Sequence, residues 1–249
     1  MSVISKAASV IRVLEAMGPC GATMGQITDE TGLPRPTAYR LLDQLSEENI
    51  TLNKSGRWYA RNQLSPHLAE DEFGIVDKYA RELAHVTGVT AYVAQLDSGR
   101  ALYVTRADGT SPIRVFSVRV GESKRLATSY AGVALLSRLP RRRQEAEIEH
   151  VASHIPTRWM VNGAQARRKL WDCLNQTLEQ GWCGTEVFIP QVAGLAAPVP
   201  NTELSLTISG VLSDIPPETH PRLAPELLRI CADLGQELNE LRAARTPST

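Results

Sequence analysis

With 249 residues the chain is too long for one small module and long enough for two buried cores. Its 27 lysines and arginines balance 27 aspartates and glutamates, so no overall positive field draws it to nucleic acid, and any such attraction has to be local. No apolar run approaches a membrane span, Arg12 and Glu15 interrupt the N-terminal apolar pattern as no signal-peptide core would, and Cys20, Cys173, Cys183 and Cys231 lack the paired spacing of a zinc site or disulfide framework. A cytoplasmic protein with reduced, mostly buried thiols is expected.

Ala7, Val10, Ile11, Leu14 and Met17 recur at helical spacing, and Gly18-Pro19 closes that first helix. Thr23 can cap a second, short helix with Met24 and Ile27 inward, which Gly32-Leu33-Pro34 ends. Pro36 suits the opening turn of a third helix running to about Glu48, because the first helical turn has no use for the missing N–H. Ala38, Leu41, Leu42 and Leu45 fall on one side of it, and Thr37, Tyr39, Arg40, Asp43 and Gln44 fill the opposite arc. Ile50 and Leu52 then share one side of a strand, Asn53-Lys54-Ser55-Gly56 make a turn, and Arg57-Trp58-Tyr59 return.

Two short helices, a tight turn and a hairpin with a basic tip are the order of a winged helix-turn-helix, which points to duplex DNA. Arg40 and Gln44 are the base-reading candidates, since arginine can bond both acceptors of a guanine edge and glutamine both groups of an adenine edge. Thr37 and Tyr39 share their face. Arg35, Lys54, Arg57 and Arg61 lie at the helix entrance and on the wing, where they suit phosphates.

Beyond a polar stretch containing Ser65-Pro66, the residues Ile75, Val76, Tyr79, Leu83 and Val86 predict a connecting helix up to Gly88. Strands are expected at 89–96, 101–106 and 113–120, as an antiparallel meander. Helices follow at 129–139, 141–154 and 163–180, then strands at 182–187, 195–198 and 204–211, and a last helix at 221–241. The pattern gives an α+β domain with helices packed on one antiparallel sheet, the layout of a small-molecule sensor. The expected organisation is a DNA-binding domain at 1–62, a linker and connecting helix at 63–88, and a sensor and oligomerisation domain at 89–249.

The whole chain resembles the IclR family of bacterial transcriptional regulators. TGLPRPTAYRLLDQL (31–45) is similar to that family's recognition segment, RLATSYAGVALLS (125–137) to its loop-to-helix at the effector pocket, and GLAAPV (194–199) and LTISG (206–210) to its two inner strands. The resemblance implies a winged helix followed by a GAF-like effector domain, action as a homodimer or homotetramer on a double-stranded operator, and a response to small organic acids or aromatic compounds. It puts the effector's floor at Ser129, Tyr130 and Ala131 and its polar wall at Thr207 and Ser209, with Glu186 and Gly194 at the border. N–H groups at a helix start and hydroxyls along a strand can hold a carboxylate without an arginine. The sequence departs from the family pattern at Gly194, where a cysteine is usual, and at Tyr130, where a small residue is preferred.

Catalysis finds little support in these residues. His150 and His154 have the i, i+4 spacing by which two imidazoles grip a metal, but Val151 stands where a zinc hydrolase keeps its general base. No phosphate-binding glycine loop or nucleophile elbow is present, so neither a catalytic residue, a metal nor a cofactor is assigned. The alternatives to a ligand-controlled regulator are an architectural DNA-binding protein that only oligomerises and a DNA-tethered enzyme.

Overall fold

The structure is a computed structural model that describes residues 2–17, 21–48, 50–54, 56–60, 68–113, 118–156, 159, 161–184 and 188–245. The chain divides into two compact units between Leu68 and Ala69, each with its own core.

In the first unit, helix α1 (Val3–Met17) buries Val10 and Leu14. Helix α2 (Met24–Thr31) opens on a reciprocal cap in which the Thr23 hydroxyl accepts from the Gln26 backbone N–H at 3.3 Å and the Gln26 side-chain Oε1 accepts from the Thr23 N–H at 2.9 Å. Gly32, at φ +65°, ends it in the left-handed conformation that glycine adopts without steric cost. Helix α3 (Arg35–Glu47) begins at once, with the Pro34 carbonyl accepting from Thr37 and Ala38 at 2.8 and 3.0 Å.

The wing pairs β2 (Thr51–Lys54) with β3 (Arg57–Ala60), and a two-residue strand, β1 (Ala22–Thr23), adds to the outer side of β3. The register couples Thr51 to Ala60 and Leu52 to Tyr59, which turns Thr51, Trp58 and Ala60 inward. The expected Ile50/Leu52 face is therefore not the core face: Ile50 is 41% exposed, whereas Thr51 is fully buried with its hydroxyl donating to the Leu42 carbonyl at 3.0 Å. A one-residue shift in a strand exchanges its two faces, and a threonine can face inward once its hydroxyl is paired.

The second unit runs α4 (Glu70–Thr87), β4 (Thr90–Asp97), β5 (Arg100–Ala107), β6 (Ser123–Arg125), a single 3-10 turn (Leu126–Thr128), α5 (Tyr130–Leu136), α6 (Arg141–Ser153), α7 (Gly163–Gln180), β7 (Cys183–Gly184), β8 (Val192–Pro198), β9 (Leu204–Val211) and α8 (His220–Arg245). One antiparallel sheet results, in the order β6-β5-β4-β9-β8-β7. Helices α4 and α8 cover one face; α5 lies on the other, with α6 and α7 packed beyond it.

Three expectations change here. The predicted connecting helix is an integral part of the second unit: Val76, Tyr79, Ala80, Leu83 and Ala84 are buried, and Lys78–Glu237 (2.6 Å), Glu82–Arg229 (3.0 Å) and Glu72–Arg242 (2.8 Å) link α4 to α8. Val86, expected inward, is 40% exposed at the end of that helix. Of the predicted 113–120 strand, 114–117 lie outside the described residues and 113 and 118–120 are not strand; among the described residues the strand beside β5 is the shorter β6. Pro112 has no N–H for a ladder, and Ser111 is tied elsewhere, its N–H to the Gly88 carbonyl at 2.8 Å and its hydroxyl to Asp214 at 2.7 Å.

Burial alone would raise the Glu72 carboxyl, but hydrogen bonds from Arg242 and the Ala69 N–H outweigh it and hold that carboxyl below its usual range.

Gly132 sets how closely α5 approaches the preceding turn, because a Cβ there would stand 2.1 Å from the Leu126 carbonyl oxygen, which is backbone and cannot swing away. Gly132→Ala is expected to destabilise the protein by about 1–3 kcal/mol, lowering the thermal midpoint by roughly 2–4 °C for each kcal/mol. An unchanged midpoint in a calorimetric scan would contradict this packing.

Candidate functional site

Two surfaces carry the candidate residues, one in each unit. On the first, α3 buries Ala38, Leu41 and Leu42 and exposes Arg35, Tyr39, Arg40, Asp43 and Gln44, with Thr37 half-buried. Arg40 and Gln44 make no side-chain hydrogen bond among the described residues, so both are unencumbered. The Arg35 guanidinium lies 5.9 Å from the Tyr39 ring centroid. Arg57 is exposed, yet it donates to the Gly21 carbonyl at 3.1 Å, which fixes part of its guanidinium to the fold. The Lys54 side chain and Arg61 lie outside the described residues. Residues 1–68 hold seven lysines and arginines against six aspartates and glutamates, so the charge available for phosphates is confined to a few side chains.

In the second unit, the inner face of the sheet and the start of α5 enclose a pocket. Pairing of Tyr92 with Thr207 and of Gly194 with Ser209 sets these four residues on one face, and Ser205, Thr207 and Ser209 form a stripe of hydroxyls along β9. Each meets a different surrounding. The Ser205 hydroxyl donates to the Ala131 carbonyl at 3.1 Å and fastens α5 to the sheet. Thr207 and Ser209 line the pocket beside Ser129, Tyr130 and Ala131. Ser129 caps α5, its hydroxyl oxygen accepting from the Gly132 N–H at 3.2 Å, which uses one of the amides that a helix start might offer an anion. Gly194 lies against the Tyr130 ring. Glu186 is outside the described residues.

The structure adds residues that sequence reasoning missed. Lys124 on β6 lines the pocket with its side chain only 9% exposed, its ammonium 3.5 Å from Glu122. Trp159 and Phe188, with centroids 5.1 Å apart, close one wall; Tyr92 and Tyr103 form another, edge to face at 5.9 Å. Burial pushes the Tyr92 hydroxyl above its usual range and keeps it neutral. Period-2 alternation could have placed Tyr92 on an inner face, but a lone lysine between Ser123 and Arg125 gives no such signal, because lysines are normally exposed. Tryptophan at 159 reads equally well as core.

Two buried polar atoms in this lining, Thr207 Oγ1 and Trp159 Nε1, have no hydrogen-bond partner among the described residues. A buried hydroxyl without a partner costs about 1–3 kcal/mol. A buried ammonium, an unpaired N–H and an unpaired hydroxyl around an apolar cavity can together accept an anion.

The histidine pair shows no metal geometry. The His150 and His154 rings stack at 4.6 Å, His154 Nδ1 lies 3.0 Å from the His150 carbonyl, and Glu147 is held by Arg125 at 3.3 Å. Among the described residues no group of three His, Cys, Asp or Glu side chains is placed to hold a metal, and no helix is long and apolar enough to cross a membrane.

A family model described as the bacterial transcriptional regulator IclR C-terminal domain matches residues 72–234, and the IclR helix-turn-helix domain matches residues 3–51. The uncharacterized HTH-type transcriptional regulator RhmR of Escherichia coli is 27% identical over 248 residues, covering 94% of this chain and 92% of that protein. An IclR homolog from Microbacterium hydrocarbonoxydans, solved in complex with 4-hydroxybenzoate, superimposes with a TM-score of 0.61 at 15% identity over 96% of this chain and 100% of that one. The Thermotoga maritima IclR structure gives 0.59 at 16% identity, over 94% and 98%. At such identities these structural likenesses concern the fold.

Thr207→Val keeps the side chain's shape and removes the unpaired hydroxyl. The ligand-free protein should then unfold at the same or a higher temperature, by up to about 1–3 kcal/mol of stability. A clear loss of stability in thermal denaturation would mean that the hydroxyl is already satisfied.

Proposed function

This chain belongs to the IclR family of bacterial transcriptional regulators, a premise from which we propose that α3 reads duplex DNA and that the pocket between α5 and the sheet takes a small organic anion that controls it. The observation carrying the second half is that Lys124 lies in the same lining as Thr207 and Trp159, whose Oγ1 and Nε1 are buried without a hydrogen-bond partner among the described residues. A carboxylate can join the ammonium beside Glu122. Ser129 and Ser209 complete the polar side, and Tyr130, Ala131 and Gly194 the floor and border; Glu186 stands beside them in sequence-based expectation.

In this reading Arg40 and Gln44 meet base edges in the major groove, with Thr37 and Tyr39 flanking them, while Arg35, Lys54 and Arg57 hold phosphates. The small local charge gives each copy few phosphate contacts, so a homodimer or homotetramer placing two α3 helices in successive grooves is the working assembly, in the cytoplasm. The effector acts by population shift: it binds one arrangement of the sensor domain better and biases the DNA-binding unit through the chain that enters α4. The protein is a switch rather than a catalyst, a reading supported by relatives that are named as transcriptional regulators.

The DNA half is tested by two substitutions on one helix. Arg40→Ala should lower the ratio of operator to random-duplex affinity by about 1–3 kcal/mol, whereas Arg35→Ala should weaken both duplexes alike and flatten the dependence on salt by about one unit of slope. A specificity ratio unchanged in Arg40→Ala would show that another surface reads the bases.

A further inference from the structure

Arginines crowd the corner where α5 gives way to α6. Arg138, Arg141, Arg142 and Arg143 are all exposed, and among the described residues the carboxylate bonded to them is Glu145, 3.0 Å from Arg141 Nε. Other arginines of this unit are neutralised within the fold, with Arg167 on Glu149, Arg229 on Glu82 and Arg242 on Glu72. The corner is not. The positive end of the α6 dipole adds to its charge, since Pro140 offers that helix no side-chain cap and the first turn holds no acid.

The corner is also held firmly. The buried Gln144 amide donates to the Leu139 and Leu136 carbonyls at 2.9 and 3.3 Å, which fixes the turn between the helices. The Arg141 guanidinium lies over the Trp171 ring at 4.1 Å, Arg138 donates to the Val199 carbonyl at 3.4 Å, and the Arg143 guanidinium reaches the Asp97-Ser98-Gly99 turn, 2.8 Å from where a Gly99 Cβ would stand. Guanidiniums anchored in this way lose little freedom when an anion arrives, and their planar forks match phosphate oxygens.

We infer that this corner is a second DNA contact, which holds the phosphate backbone of the duplex outside the base pairs that α3 reads. The occupant follows from charge. Even with Asp97 of the neighbouring turn counted beside Glu145, four guanidiniums stand against two carboxylates here, whereas all of residues 1–68 hold seven cationic side chains against six acidic ones. Duplex DNA is the polyanion that the first unit brings to the molecule, and the more concentrated positive charge lies in the second. Contacts of this kind carry no base preference; they lengthen the footprint and steepen its dependence on salt. The inference rests on the reading that the protein binds duplex DNA.

The test is fluorescence anisotropy of the full chain with an operator duplex, selected from random sequence by the protein itself, in two lengths across a range of salt. The longer duplex adds about two helical turns of unrelated sequence on each side. Wild type is compared with Arg142→Gln/Arg143→Gln and Arg142→Lys/Arg143→Lys, whose side chains are exposed and whose thermal midpoints should be unchanged. Expected for the wild type is tighter binding and a steeper salt slope on the longer duplex. The glutamine variant should lose that gain, its slope on the longer duplex falling by about two units for each copy engaged, with its binding to the shorter duplex unchanged. The lysine variant should keep the gain, because charge is what it preserves. Equal affinities and slopes for the wild type and the glutamine variant on the longer duplex overturn the inference, leave the α3 reading standing and assign the corner to an acidic protein surface. Absence of duplex binding by the wild type at low salt overturns both.

Discussion

The sensor domain depends on how closely α5 is pressed onto the sheet. Three contacts leave no slack: Gly132 against the Leu126 carbonyl, Ala131 held through its carbonyl by Ser205, and the Tyr130 ring resting on Gly194. Two of the three need a residue without a side chain, and the third fixes the height of the helix by a hydrogen bond. Close packing of this kind transmits displacement rather than absorbing it, because interiors at crystal-like density have few voids into which a moved side chain can relax. The start of α5 is thereby fastened to two strands, β8 and β9.

Against that rigid floor the pocket keeps polar groups unsatisfied. Thr207 and Trp159 each retain a buried polar atom without a partner among the described residues, while Lys124 in the same lining is paired with Glu122. Such groups lower the stability of the empty protein and raise the affinity for whatever completes them, which is the usual compromise of a binding site. The opposite face of the sheet is built differently. The exposed ion pairs between α4 and α8, Lys78–Glu237 and Glu82–Arg229, worth no more than about 1 kcal/mol each, accompany an apolar contact between the two helices.

Much of this was legible in the sequence for definite reasons. The α2–α3 pair could be read because capping by Thr23, termination at Gly32 and initiation around Pro34–Pro36 are local chemistry, written within a few residues of where they act. Helix α7 was equally plain between its Asn162 cap and the left-handed Gly181. What depends on pairing between distant segments was not. The inward turn of Thr51 follows from its register with Ala60, and the place of β6 beside β5 from a loop that ties Ser111 to Gly88 and Asp214. At the pocket, the hydroxyls of β9 and the start of α5 could be singled out from the resemblance. Lys124, Trp159 and Phe188 could not, because only the folded domain brings them together. The link between Tyr130 and Gly194 needs the fold as well: 64 positions separate them, and their relation is steric rather than a motif.

In the proposed reading, a regulator built this way joins a DNA surface of few charges to an effector pocket, and its central claim is that filling the one alters the other. The direct measurement is fluorescence anisotropy of a labelled operator duplex, selected from random sequence by the protein itself, titrated with and without a saturating small carboxylate that raises the protein's thermal midpoint. Expected is a change in the operator's Kd of about 5- to 150-fold, matched by an equal change in that acid's affinity when operator is present, since coupling between two sites is reciprocal. Superimposable operator titrations with an acid shown by thermal shift to be bound would contradict it.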